Sequence, residues 1–494
     1  MTARWLAGLV ACLLAWPAGA GPWVEPGDAR LRADIELLRS NGIITGPTES
    51  WPLPWAQIER GLERARGLAL PPGLAAAVQR VEAMADYNRR ANRFRAEGRV
   101  TNEPALVRGF QQTARGDVDM TVAAEHDLSR FTVGWGASYI KRGDRPATEV
   151  TGGPQLRPIF VAMQLGNWAL YGGHVETYWG PGNDGGLLFS TSARPFPKVG
   201  VKLLEPKRID FPVLKWLGPL RFDMFGGVAD EERNDFSNPV LLGMRVEFEP
   251  TPGFTAGFVR GIQMCGRNRP CDFQIWVDAL IGLFDRDNTG TFDEPGNQLA
   301  GFDFSYHFRL GRAGHGGKLF VETVAEDEDN FVIEQFARRV GGRLHGPLGD
   351  GGHTYAIGIE YTDALASKLF GGTKYPGSLY NNFIYTDGFT YDRRPLGFSL
   401  DGDSRLITID AMVTDARNRR FHGSIRRANI NLFDNPNHRI SQTNERMWIG
   451  TGGADLPTRF GDIRLELRAQ TDRPDTPGVK DGEVQVEFGW RSQF

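Results

Sequence analysis

The chain ends in an alternating segment that runs to its last residue. From Gly482 onward, Val484, Val486, Phe488, Trp490 and Phe494 fall on one side and Glu483, Gln485, Glu487, Arg491 and Gln493 on the other. That is the period of two of an extended strand. A polar lumen and an apolar lipid face impose this alternation on every strand of a transmembrane β-barrel. A terminal aromatic strand, preceded by many like it, predicts the closing strand of such a barrel. A secreted β-sandwich is the alternative.

The start of the chain predicts export. A charged residue at Arg4, an apolar run from Trp5 to Trp16 and the small residues Ala18-Gly19-Ala20 have the layout of a signal peptide over residues 1–20. Leu9-Val10-Ala11-Cys12 resembles a lipoprotein box, but cleavage there would leave too short an apolar segment before it. No later stretch holds eighteen uninterrupted apolar residues, so a membrane-spanning chain of this kind must close into a barrel. Sixty-two glycines and 11% aromatic residues suit tight turns and interfacial girdles. The formal net charge of −3, with no basic stripe, argues against a nucleic-acid partner.

Two periods divide the mature chain. Helical spacing holds from Asp28 to about Arg95: Leu31, Ile35 and Leu38 make one stripe, Trp55, Ile58 and Leu62 a second, and Leu74, Val78, Val81 and Ala85 a third. Prolines and glycines separate the three short helices. Period two then takes over, as in Phe131/Val133/Trp135/Ala137/Tyr139, Leu242/Met244/Val246/Phe248 and Tyr355/Ile357/Ile359/Tyr361. The boundaries read as a helical bundle over 21–100, placed in the periplasm at the barrel mouth, and a barrel over 101–494. At about 20 to 24 residues per strand with its turn, the second part accommodates roughly 16 to 18 antiparallel strands.

Several motifs, in order along the chain, resemble those of the Wzi-type capsule assembly family. They are Trp23-Val-Glu-Pro-Gly-Asp28 through Trp51-Pro-Leu-Pro-Trp55, then Trp179-Gly-Pro-Gly182, Ser190-Thr-Ser-Ala-Arg194-Pro-Phe-Pro197 and Gly296-Asn-Gln298 through Asp303. The resemblance implies an outer-membrane barrel of about 18 strands with a periplasmic helical bundle. It also implies a non-enzymatic lectin that holds capsular or another exopolysaccharide at the cell surface. The remaining expected partners are outer-membrane lipid, lipopolysaccharide and the barrel insertion machinery, around a monomer without cofactors.

Sugar binding needs aromatic faces and fixed polar groups on loops held by a rigid scaffold. Tyr178, Trp179 and Asp184 in one Gly/Pro-rich segment, Arg194 in a constrained turn, and Asp230 with Arg233 in a charged loop are the candidate polysaccharide-binding residues. Each also has a structural reading: an interfacial aromatic, a lumen ion pair or a solvated charge cluster. Cys265 and Cys271 predict a disulfide in an oxidising compartment, contributing roughly 2 kcal/mol on the chain-entropy estimate. Asp285, Asp287 and Asp293 partly match a calcium loop but lack its acidic twelfth position, which is Gly296. No hydrolase motif is present, and a barrel hydrolase would need Ser and His brought together in space, for example His174 with Ser190 or Ser192. A diffusion porin is the main rival to the lectin, because a polar lumen of this width could conduct.

Overall fold

The computed structural model describes residues 21–142, 152–281, 296–326, 328–329, 332–333, 335–368, 372–476 and 478–494. The signal-peptide segment and the calcium-loop candidates Asp285, Asp287 and Asp293 lie outside these residues. Among the described residues, no group of His, Cys, Asp or Glu is arranged to hold a metal ion.

The alternating segments form a closed antiparallel barrel. Its first strand is Asn92–Thr101 and its last is Glu483–Gln493. These two pair with each other, in register from Glu487↔Thr101 to Gln493↔Arg95. Phe494 continues the ladder: its N–H donates to the Phe94 carbonyl (2.9 Å) and its carbonyl accepts from Phe94 N–H (3.2 Å). Two strands are interrupted. Gly153–Gln155 and Ile159–Leu165 both pair with Phe131–Lys141, and Pro197–Leu203 and Lys207–Arg208 both pair with Pro219–Val228. With each interrupted pair taken as one strand, the described residues give eighteen. The barrel takes over at Asn92, earlier than the boundary at residue 100 expected from sequence.

The alternation orients the wall. Val484, Val486 and Phe488 are 59, 53 and 45% exposed, while Gln485 and Glu487 are 2 and 0% exposed. The apolar set therefore faces outward, where lipid would cover it, and the polar set lines the lumen. Turns at one end are short, as between Leu310 and His315 and between Leu348 and His353. Connections at the other end are long, including residues 175–196, 368–404 and 431–444.

The predicted helices form as α1 (Ala29–Ser40), α2 (Trp55–Ala65) and α3 (Pro72–Asn88). Asp28 caps α1 by accepting from Arg30 N–H (3.0 Å) and Leu31 N–H (3.1 Å), and Pro72 opens α3 where its missing N–H costs nothing. Their stripes meet in one core of Leu31, Ile35, Leu38, Ile58, Leu62 and Val81. The bundle sits at the short-turn end: Asn41 Nδ2 donates to the Gly314 carbonyl (3.0 Å) and Ser40 Oγ to the Gly317 carbonyl (3.2 Å).

A fourth helix, α4 (Phe273–Ile281), was not expected from the sequence. It packs on Leu242, Ile262 and Met264, whose register places them on the outer face, opposite the lumen-facing Arg245 and Gln263. Arg260 donates to the Ala279 and Leu280 carbonyls at 2.8 and 3.0 Å, satisfying two otherwise open C-terminal acceptors. The expected Cys265–Cys271 disulfide lies just before this helix.

Candidate functional site

The lumen is filled from both ends. From the short-turn side, α1 and the segment after it bring acidic groups to basic wall residues. Lys318 Nζ lies 2.5 Å from Glu36 Oε1 and 3.7 Å from Glu49 Oε2, and His307 Nε2 is 2.9 Å from Glu49 Oε1. Arg32 Nε adds a bond to Glu36 at 3.1 Å. Burial alone would raise the Glu36 pKa, but Lys318, Arg32 and Arg343 hold it well below the usual carboxylate range. The same opposition leaves Glu49 at about 2: burial pushes it up, and Lys318, His307 and Arg32 overcome that push.

From the other side, the loop over residues 175–196 descends to meet the bundle. Tyr178 and Trp179 pair antiparallel with Trp51 and Ser50, so the Trp51–Trp55 and Trp179–Gly182 motifs, far apart in sequence, interlock inside the lumen. Gly180 N–H donates to the Glu49 carbonyl (3.0 Å), and the Pro181 carbonyl accepts from Lys318 Nζ (2.8 Å) and Arg32 Nη2 (2.9 Å). Glycine is required at Gly180 (φ +127°), where a Cβ would come within 2.8 Å of Glu322. Above this junction Leu187, Leu188, Phe189, Tyr380, Phe389 and Phe398 form one buried core with the lumen-facing Leu241, Val259, Ala337 and Leu406.

This packing fixes the place of each candidate residue. Tyr178 is fully buried, and its hydroxyl donates to the Gly182 carbonyl and accepts from Gly185 N–H. Trp179 is 1% exposed and packs against Phe189 (5.1 Å) and Phe225 (5.3 Å). Neither ring is open to a sugar. Asp184 is buried against Arg426 (3.0 Å) and the Thr408 hydroxyl, and Arg426 carries its pKa below normal against the effect of burial. Arg233 forks onto Asp235 at 2.8 and 2.9 Å and also donates to the Gly388 and Thr390 carbonyls, tying two loops together.

Arg194 and Asp230 do come together. They line a cleft of about 380 Å³ at the long-loop end with Arg142, Arg157, Arg393 and Tyr391, and with three further acids, Glu231, Glu232 and Asp392. Arg194 Nε is 2.7 Å from Asp392 Oδ2, its Nη1 donates to Gln155 Oε1 (2.6 Å), and Asp392 N–H donates to Asp230 Oδ1 (3.1 Å). Burial pushes the Arg194 pKa down to about 10 despite Asp392, so the guanidinium stays charged at neutral pH. Burial also raises Asp230. Arg157 donates to the Tyr391 hydroxyl (3.0 Å) and the Pro195 carbonyl (3.0 Å), holding the phenol at the cleft wall.

Through Gln155, Arg157 and Arg194 the cleft joins an inner chamber of about 120 Å³. Six arginines (95, 99, 108, 115, 157 and 194) line that chamber against four acids (Glu25, Glu97, Asp119 and Glu176). Burial and repulsion from Arg394 and Arg115 drive the Arg108 pKa well down, a sign of local positive potential. Burial raises the Glu25 carboxyl to about 7, weakening the acidic side further near neutrality. The sequence pointed to Arg194 but not to the arginines around it, which are scattered over strands and loops.

The candidate pairing of His174 with Ser190 or Ser192 does not form. Ser190 Oγ donates to the Gly397 carbonyl (2.5 Å), and among the described residues neither Ser190 nor Ser192 hydrogen-bonds His174.

Three comparisons bear on this architecture. The chain resembles the solved structure of Wzi from Escherichia coli, described as an outer membrane protein involved in group 1 capsule assembly and a carbohydrate-binding β-barrel. The likeness has a TM-score of 0.79 at 21% identity and covers 96% of this chain and 100% of that one. An uncharacterized 55.8 kDa protein in the cps region of Klebsiella pneumoniae is 27% identical over 437 residues, 86% of this chain and 81% of its own length. The family model of the capsule assembly protein Wzi matches residues 87–485. With most of its barrel inside that match, the chain belongs to the Wzi capsule assembly family.

Proposed function

We propose that this protein is a non-enzymatic outer-membrane lectin that anchors and organises capsular polysaccharide at the cell surface, with its helical bundle in the periplasm. The observation that carries this reading is the charged cleft around Arg194 at the long-loop end, where four arginines stand beside four acids, together with the chamber beneath it, where six arginines face four acids, above a lumen filled by packed side chains. Long loops face outward in barrels of this kind. Guanidinium forks suit the carboxylates of an acidic polymer, and Tyr391 offers an aromatic edge beside them. The E. coli relative is described as carbohydrate-binding, in line with this use of the cleft. A lumen occupied from both sides favours holding a ligand over passing a solute.

One sugar contact is weak, but a repeating polymer meets many barrels at high effective concentration. Loss of the protein should therefore release polymer without stopping its synthesis. The test compares cell-attached with medium-borne polysaccharide in a deletion strain. Release into the medium supports the lectin, whereas unchanged attachment together with liposome conductance by the purified protein would replace it with a porin.

A further inference from the structure

Apart from the charged cleft around Arg194, the long-loop face carries a second opening of different chemistry. It has a volume of about 440 Å³ and lies between the loop over 375–386 and the loop over 431–437. Its walls include Phe383, Phe433, Asn382, Thr386 and Asn437, and no lining residue is charged. Phe383 is 52% exposed and Phe433 45% exposed, and both stand on polar loops outside the strands.

The two loops are fixed in place. Arg439 Nη1 donates to both Asp401 carboxylate oxygens at 2.8 and 2.9 Å, and its Nη2 donates to Asn381 Oδ1 (2.8 Å) and the Tyr380 carbonyl (3.1 Å). Asn382 Oδ1 accepts from Ile384 N–H (2.8 Å) and Tyr385 N–H (3.0 Å), which turns the chain and presents Phe383. The amide nitrogen of Asn382, the Thr386 hydroxyl and the Asn437 amide have no side-chain hydrogen bond among the described residues. Lys374 lies 6.0 Å from the Phe433 ring centroid and outside the lining.

We propose that this opening is a second glycan subsite that takes uncharged pyranose units of the polymer. The inference rests on the lectin reading above. Exposed rings on a rigid frame can cover the apolar C–H face of a neutral sugar, and unpaired amides and a hydroxyl can bond its hydroxyl groups. The volume is within the ~300–1,000 Å³ usual for ligand sites, and preformed walls limit the entropy lost on binding. An acidic unit would find no cation in this lining, whereas the cleft around Arg194 offers guanidinium groups beside its acids, so acidic units are left to that cleft.

The test uses the full-length barrel in detergent and two probes: intact exopolysaccharide from the host strain, and the neutral oligosaccharides of its partial hydrolysate that pass through an anion exchanger. Phe383→Ala and Phe433→Ala should each weaken binding of the neutral fraction roughly tenfold, and Phe383→Tyr should retain it. Arg194→Ala should leave that fraction's affinity unchanged while weakening the intact polymer. Both rings are exposed, so the variants should keep wild-type heat-modifiable migration. Wild-type affinity of the neutral fraction for both alanine variants would overturn the subsite, as would binding of the intact polymer alone. If the wild-type protein bound neither probe, the lectin reading itself would fall.

Discussion

The two ends of the barrel are filled by different physics. At the short-turn end, charges on α1 and the segment after it are matched by wall residues: Glu36 and Glu49 with Lys318 and His307, and Arg39 with Glu249, while Arg32 of α1 itself adds a bond to Glu36. At the long-loop end the filling is aromatic and aliphatic, and the charged groups gather at the edges of clefts. A buried charge must be paired within the protein, whereas a charge at a cleft edge can also pair with a ligand. The first end is thus built as a structural seal, and the second, on the proposed function, is where polymer would bind.

The largest effect should come from breaking the seal. Lys318→Ala leaves two buried carboxylates short of their closest cation, which costs about 3–5 kcal/mol. The temperature at which the protein loses its compact gel migration should fall, and trypsin should cut the purified barrel within residues 21–90. Neither change would mean that the bundle is held by its apolar contacts alone.

Acid should attack the same end next. Glu49 has its pKa depressed from 4.5 to about 2 by Lys318, His307 and Arg32 against the upward push of burial. Its stabilisation is complete above pH 4.5 and lost as pH falls towards 2. The unfolding temperature of the detergent-solubilised protein should drop across that window, and Glu49→Gln should flatten the drop. A wild-type curve that is level from pH 5 to 2 contradicts the seal.

At the long-loop end, Arg194→Ala should cost acidic-polymer binding about 1.5–3 kcal/mol, roughly ten- to hundredfold, and should also lower the unfolding temperature, because Asp392 loses its buried partner. Unchanged affinity would move the acidic contact to other arginines of the chamber. The smallest effect is expected at Trp179→Phe, about 1 kcal/mol of stability, since the indole Nε1–H has no partner among the described residues to lose. Polymer affinity should stay as in the wild type. A selective loss of binding would return Trp179 to the glycan site.

The candidate site was only partly legible in the sequence. The Tyr178–Asp184 segment has the residue types of a sugar-binding loop, and the reason it is buried, its pairing with Ser50–Trp51, lies more than a hundred residues away. Arg194 was readable because its turn is rigid, but its partners come from elsewhere in the chain, Asp392 from a distant loop and Gln155 from a barrel strand. Phe383 and Phe433 were passed over as single aromatics in Asn-rich loops; their signal, an apolar ring flanked by amides, gains meaning only when the loops face each other. The helix α4 was missed because a short apolar run beside two cysteines looks the same whether it is a loop, a strand or a helix.

What the sequence determined by itself is the barrel and the three N-terminal helices. Alternation and helical stripes are local patterns, and a polar lumen with an apolar exterior forces the same choice at every strand. The terminal Phe494 closing onto Phe94 follows from that repetition. Only the tertiary structure decided which polar loops fold inward, which arginines are used up in ion pairs and which face a cleft. Those outcomes depend on contacts between residues far apart in the chain, inside a lumen wide enough that no local rule selects among the possible fillings.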